Sequence, residues 1–137
     1  MPYKQLEHTA DRMFVVTAKT LEKLLLDAAT ALIKTLANTR TVKPKLKKKV
    51  KIQGKNEEEL LFNVLEEIIF LKDSDAIVFR KVENLKIKKN EVSFTLIGDN
   101  INKETQKLGN DVKAITMHKF QLEKTKTGYK AVFIIDI

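Results

Sequence analysis

The spacing of apolar residues changes once along this chain, at Ile77, and that change limits the fold more than any single motif. Before it, Leu21, Leu25, Ala28, Leu32 and Leu36 recur at helical spacing, as do Leu60, Leu61, Val64, Leu65, Ile68 and Leu71. After it, apolar residues recur at every second position to the end of the sequence, the pattern of strands with one buried face. Helices come early and hairpin-connected strands come late. That order predicts a two-layer α+β domain, with two helices packed on one face of a mixed or mainly antiparallel sheet.

Local signals place the elements. Thr20 is a predicted N-cap for a helix from about Leu21 to Ala37. Asn56, followed by Glu57, Glu58 and Glu59, predicts a second helix ending near Lys72 to Ser74, since its carboxylates suit the positive end of the helix dipole. Strands are predicted over Tyr3–Glu7, Arg12–Ala18 and Lys45–Gln53, with Lys48 standing on the apolar parity of the last as an edge position or bulge would allow. From Ile77 a strand runs to a turn at Lys89-Asn90, and its return carries Val92, Phe94 and Leu96. Gly98-Asp99-Asn100 is expected to break that strand. A further strand is predicted over Asp111–Lys124, with Val112, Ala114, Thr116, His118, Phe120 and Leu122 on one parity. The last is predicted over Tyr129–Ile137, after a turn at Thr127-Gly128.

The 137 residues are expected to form a single domain, with no linker, repeat or low-complexity tract. Cysteine is absent, which excludes disulfides, thiolate metal sites and a thiol nucleophile, and fits a cytoplasmic setting. No apolar run reaches the length of a signal peptide or a membrane span, so no membrane partner is expected. The net charge of +8 comes from one segment. Eight of the 26 basic residues lie between Asn38 and Asn56, where no acidic residue occurs; the other 18 balance the 18 acidic ones. Within that segment Lys47, Lys49 and Lys51 point away from the apolar parity, either to RNA or a protein partner or simply to water, as lysines that guard a strand edge.

Most catalytic signatures are missing. Four scattered glycines cannot build a phosphate loop, so no nucleotide is expected to bind to the chain alone. No nucleophile elbow, zinc-binding helix or ligand cluster occurs. A stand-alone hydrolase built on His8, Asp11 and His118 would lack both nucleophile and nucleotide motif. What remains is a pair of carboxylates at the two ends of the sequence. Asp11 precedes the apolar run Met13–Val16, and Asp136 interrupts Phe133-Ile134-Ile135-Asp136-Ile137. A carboxylate in such a run calls for a partner, a lysine, backbone N–H groups or a hard cation, or else lies frayed at an exposed end while Asp11 caps a turn. Oxygen-only donors suit Ca²⁺ or Mg²⁺ rather than zinc. With metal–oxygen bonds of about 2.3–2.6 Å, carboxylates more than about 8 Å apart could not share one ion.

Taken together, several segments resemble the archease family. They are His8-Thr9-Ala10-Asp11 with Thr20-Leu21-Glu22; Glu58-Glu59-Leu60-Leu61 leading to Glu66-Glu67 and Phe70-Leu71; and Val112–His118 with Ile135-Asp136-Ile137. Arg12-Met13 stands where a small apolar pair with glycine is common, Met117 where tyrosine is common, and Gly98-Asp99 where Gly-Glu is common. The resemblance implies an accessory protein, not an enzyme, that promotes guanylylation and repeated turnover of the GTP-dependent tRNA-splicing RNA ligase. It implies a divalent cation, calcium in the first place, held by Asp11, Asp136 and an oxygen of Ile137, and it marks Lys113 as functionally important. An alternative of another class is a basic RNA-binding or chaperone module that assists tRNA-modifying enzymes through the Lys43–Lys55 segment.

Overall fold

A computed structural model describes residues 11–137. The possible strand at Tyr3–Glu7, together with His8, Thr9 and Ala10, lies outside them. The elements run β1 (Asp11–Ala18), α1 (Leu21–Leu36), a short 3₁₀ turn (Thr39–Thr41), β2 (Leu46–Gln53), α2 (Glu57–Asp75), β3 (Ile77–Lys88), β4 (Glu91–Asn100), β5 (Ala114–Lys124) and β6 (Tyr129–Asp136). Both predicted caps are made. Thr20 Oγ1 accepts from the Lys23 N–H at 3.1 Å, and Asn56 Oδ1 accepts from the Glu59 N–H at 2.9 Å. Glu59 reaches back in turn to accept from the Lys55 N–H at 3.0 Å, so the start of α2 is fastened from both sides.

The class is the expected one, two helices with antiparallel strands, but the strands divide into two sheets. β1-β6-β5 form the first and β2-β4-β3 the second, all pairs antiparallel. The first sheet pairs the N-terminal strand with the C-terminal one. This non-local choice carries no local sequence signal. One core joins the parts: Leu24, Leu25, Leu32 and Ile33 of α1 and Leu61, Leu65 and Ile68 of α2 meet Phe79 and Leu96 of the second sheet and Phe133 and Ile135 of the first, all at most 1% exposed. Phe14 stacks flat on Phe133 across the β1–β6 ladder, ring centres 5.1 Å apart. Among the described residues no helix is long and apolar enough to cross a membrane.

Three local expectations are corrected. Gly98 does not break β4, which runs through it to Asn100. Gly98 pairs with Leu46 on one side and Phe79 on the other, and a Cβ there would lie 2.1 Å from the Val78 carbonyl oxygen. The glycine is needed for close approach inside the sheet. Second, β5 starts at Ala114, because Asp111-Val112 is held by a helix side chain described below. Third, β5 does not keep one parity. Thr116 pairs with Ile134 and Gln121 with Val132, so Met117, His118, Lys119 and Phe120 stand opposite Phe133 alone. Lys119 takes a left-handed conformation, φ 57°. The three extra residues switch faces: Ile115 points to the core before the bulge, Phe120 and Leu122 after it. His118 is thereby exposed, its backbone N–H bonded to Thr116 Oγ1.

Lys48 is explained without a bulge. β2 is an edge strand in unbroken register with β4, and Lys48 Nζ pairs with Asp75 Oδ2 at 3.0 Å, just where α2 ends. That contact holds the Asp75 carboxyl below its usual range.

Candidate acidic site at the end of the first sheet

Asp11 and Asp136 are cross-strand partners in β1 and β6. Residues directly opposite in an antiparallel pair point to the same face, with Cβ atoms about 4.5–5.5 Å apart. Two carboxylates so placed are within reach of a single ion. On the other side, Asp136 pairs with Ala114 of β5, and the Lys113 N–H donates to the Asp136 carbonyl oxygen at 2.8 Å. Three sequence-predicted residues, Asp11, Lys113 and Asp136, therefore meet at one end of one sheet, with Ile137 adjoining. The strand at the centre carries Asp136, which is why its environment is the most enclosed.

The face matters as much as the register. Ala131, Phe133 and Ile135 point to the core, so Val132, Ile134 and Asp136 point to the opposite, outer face, with Asp11, Met13 and Val15 of β1. Asp136 is half-buried there, and its Oδ1 is fully buried without a hydrogen-bond partner among the described residues. None of the ion pairs among those residues involves Asp11 or Asp136. Arg12, whose backbone pairs with Ile135 on the core side, turns its guanidinium to Asn110 Oδ1 at 3.1 Å. A buried carboxylate oxygen left unbonded costs of the order of 1–3 kcal/mol, and functional sites are where such costs are retained. Two oxygen donors on one face, one of them unpartnered, fit a hard cation. Among the described residues no group of three or more His, Cys, Asp or Glu is placed to hold a metal, so further oxygens would come from main chain, Ile137 or water.

The site's other wall rests on a residue that sequence reasoning missed. Lys72, on the last turn of α2, is 7% exposed, and its Nζ donates to Asp111 Oδ1 and to the Val112 carbonyl, both at 2.8 Å, and to Asp73 Oδ1 at 2.5 Å. Burial pulls its pKa down, but the bonds to Asp111 and Asp73 outweigh that and leave it above the ordinary value. The same contact holds the Asp111 carboxyl below its usual range. Lys72 so pins the two residues that precede Lys113. The signal was its spacing: Val64, Ile68 and Lys72 follow at intervals of four, which puts a lysine on the buried stripe. Asp111 belongs to the Lys72 clamp and His118 to the exposed bulge, so these two residues of the predicted Asp111–Lys124 strand do not share one site.

Lys47, Lys49 and Lys51 lie elsewhere, exposed on the outer side of β2 in the second sheet.

Comparison with known proteins shows the family and the fold. The Archease protein family matches residues 3–137. The archease of Methanosarcina mazei is 32% identical over 139 residues, covering 98% of this chain and 95% of that one. The archease of Pyrococcus abyssi is 33% identical over 140 residues, covering 98% of each. Among solved structures, protein 1598 of Methanobacterium thermoautotrophicum superposes with a TM-score of 0.78 at 27% identity over 96% of both chains. An archease of Thermotoga maritima, described as a possible chaperone, shares the fold with a TM-score of 0.69 at 21% identity, over 98% of this chain and 97% of that one. The chain belongs to the archease family.

Proposed function

We propose that this protein is an accessory activator of the GTP-dependent RNA ligase that joins tRNA exons, acting in the cytoplasm and promoting ligase guanylylation and repeated turnover. It is not itself the ligase. The observation that carries the reading is the buried Oδ1 of Asp136, without a hydrogen-bond partner among the described residues and directly opposite Asp11. Asp11, Asp136 and an oxygen of Ile137 would hold a divalent cation, calcium in the first place. When bound, it supplies positive charge at a phosphate, the kind of electrostatic help that phosphoryl transfer uses most. The chain's own part is placement. Lys113 adjoins the acidic pair through its main chain, which is fixed by the bond to the Asp136 carbonyl and by the Lys72 clamp. Met13 and Val15, 51% and 58% exposed on the face that Asp11 shares, offer apolar area to bury against a protein partner.

The test is multiple-turnover ligation by a cognate ligase with this protein added, at controlled calcium. Asp11→Asn, Asp136→Asn and Lys113→Ala are each expected to remove the stimulation while leaving the circular-dichroism spectrum unchanged. Full stimulation by all three variants would sink the reading.

A further inference from the structure

The second sheet has an outer face of a different kind. The register of β2, β4 and β3 sets its residues in rows: Lys47, Ile97 and Lys81; Lys49, Thr95 and Glu83; Lys51, Ser93 and Lys86; Gln53, Glu91 and Lys88. Directly opposite residues share a face, so the three lysines read from the sequence in β2 are joined by Lys81, Lys86 and Lys88 of β3. All six are exposed. They form two rails on either side of β4, roughly 9–10 Å apart given strand spacings of about 4.7–4.9 Å. Two acidic residues lie among them, Glu83, which is taken by Lys81 at 2.6 Å, and Glu91. Beyond Lys88 the face runs into an open hollow of about 770 Å³ lined in part by Lys55 and Lys89.

From this arrangement we infer that the outer face of β2-β4-β3 is a binding surface for the phosphodiester backbone of a double-stranded nucleic-acid segment. Charge favours a polyanion, and the make-up of the face decides which kind. A protein interface is depleted in lysine and centres on aromatic, apolar or arginine anchors. Here the one large apolar residue is Ile97, 3% exposed and flanked by lysine stems; of the exposed large apolar residues, Met13, Val15 and Met117 lie on the other sheet and Phe70 on α2, beside the edge of β2 and outside these rows. Single strands are gripped by base stacking on aromatic rings. None stands in these rows, whereas Thr95 and Ser93 set hydroxyl donors between the rails. Edge protection does not account for the lysines either. β1 is also an edge strand, and its outer face carries Asp11, Met13, Val15 and Thr17.

The test is fluorescence-anisotropy titration of the full chain into a labelled RNA hairpin and a DNA hairpin of equal stem length, from 50 to 200 mM KCl. Nothing on the face is built to read the 2′-hydroxyl, so both are expected to bind. With five lysines free of a carboxylate partner among the described residues, log K is expected to fall with log salt at a slope of about −4. Lys47→Gln/Lys49→Gln/Lys51→Gln is expected to remove about 2–3 from that slope, and Lys86→Gln/Lys88→Gln about 2. Lys124→Gln/Lys126→Gln, on the β5–β6 hairpin, is the control and is expected to leave the slope in place. Absence of binding at 50 mM KCl, equal loss in the control, or tighter binding of polyglutamate than of either hairpin would each overturn the inference. No ligase is present, so the outcome is independent of the activator reading.

Discussion

Asp11 and Asp136 face one another across the β1–β6 ladder, near opposite ends of the sequence, and nothing among the described residues neutralises either. The pairing is reinforced three residues inward, on the core face, where Phe14 stacks on Phe133. The folding energy that closes the ladder therefore also brings two like charges together. A cation between them reverses the sign of that interaction.

Asp136→Asn should accordingly change stability in opposite directions with and without metal. In EDTA the variant is expected to melt at or above the wild-type temperature, since an unbonded buried carboxylate oxygen costs of the order of 1–3 kcal/mol. With calcium, the wild type gains by mass action, about 2.7 kcal/mol at a concentration one hundred times the dissociation constant, and the variant does not. Thermal scans at two calcium concentrations check this.

Lys72→Met should destabilise the chain by about 1–3 kcal/mol, because the Val112 carbonyl and Asp111 lose their donor. The pH dependence has two limits. The folded Lys72 pKa lies above its ordinary 10.5, so its contribution is complete below that value and is lost as pH rises through the folded pKa. The folded Asp111 pKa lies below its ordinary 3.8, so its contribution is complete above that value and is lost as pH falls through the folded pKa. Urea midpoints of wild type and variant should differ most between those limits and converge outside them.

Gly98→Ala should cost at least about 1–3 kcal/mol, since the added carbon would lie 2.1 Å from the Val78 carbonyl and 3.0 Å from the Phe79 Cα, both backbone atoms that cannot swing aside. A urea midpoint shift at unchanged m-value is the expected reading.

Met13→Ser with Val15→Ser should leave stability within about 0.5 kcal/mol of wild type, because both side chains are exposed. Ligase stimulation should weaken, with the protein concentration needed for half-stimulation rising. Calcium binding should persist, which separates docking from ion binding.

Local chemistry made much of this architecture readable. Thr20 and Asn56 announced both helices, and Lys48 on the apolar parity left an edge or a bulge, of which the structure makes the edge. Asp136 in an apolar run left a partnered carboxylate or a frayed end, and the structure half-buries it in β6. What escaped was set by non-local contact. The partition into two sheets depends on β6 choosing β1, some 120 residues away. The bulge at Met117–Phe120 left the alternation of residue types intact while shifting their faces. Gly98 looked like a strand breaker because its reason lies in the Val78 carbonyl of a neighbouring strand. Lys72 was hidden by a rule that is sound on average, that lysines belong outside, and its exception required three acceptors brought from α2 and the segment before β5.

The most direct measurement of the acidic pair is calorimetric titration of Ca²⁺ into wild type, Asp11→Asn and Asp136→Asn, each shown to be folded. One site per chain is expected in the wild type, lost or weakened at least tenfold in either variant. Absence of calcium binding in the wild type, or wild-type affinity in either variant, would contradict a shared cation between Asp11 and Asp136.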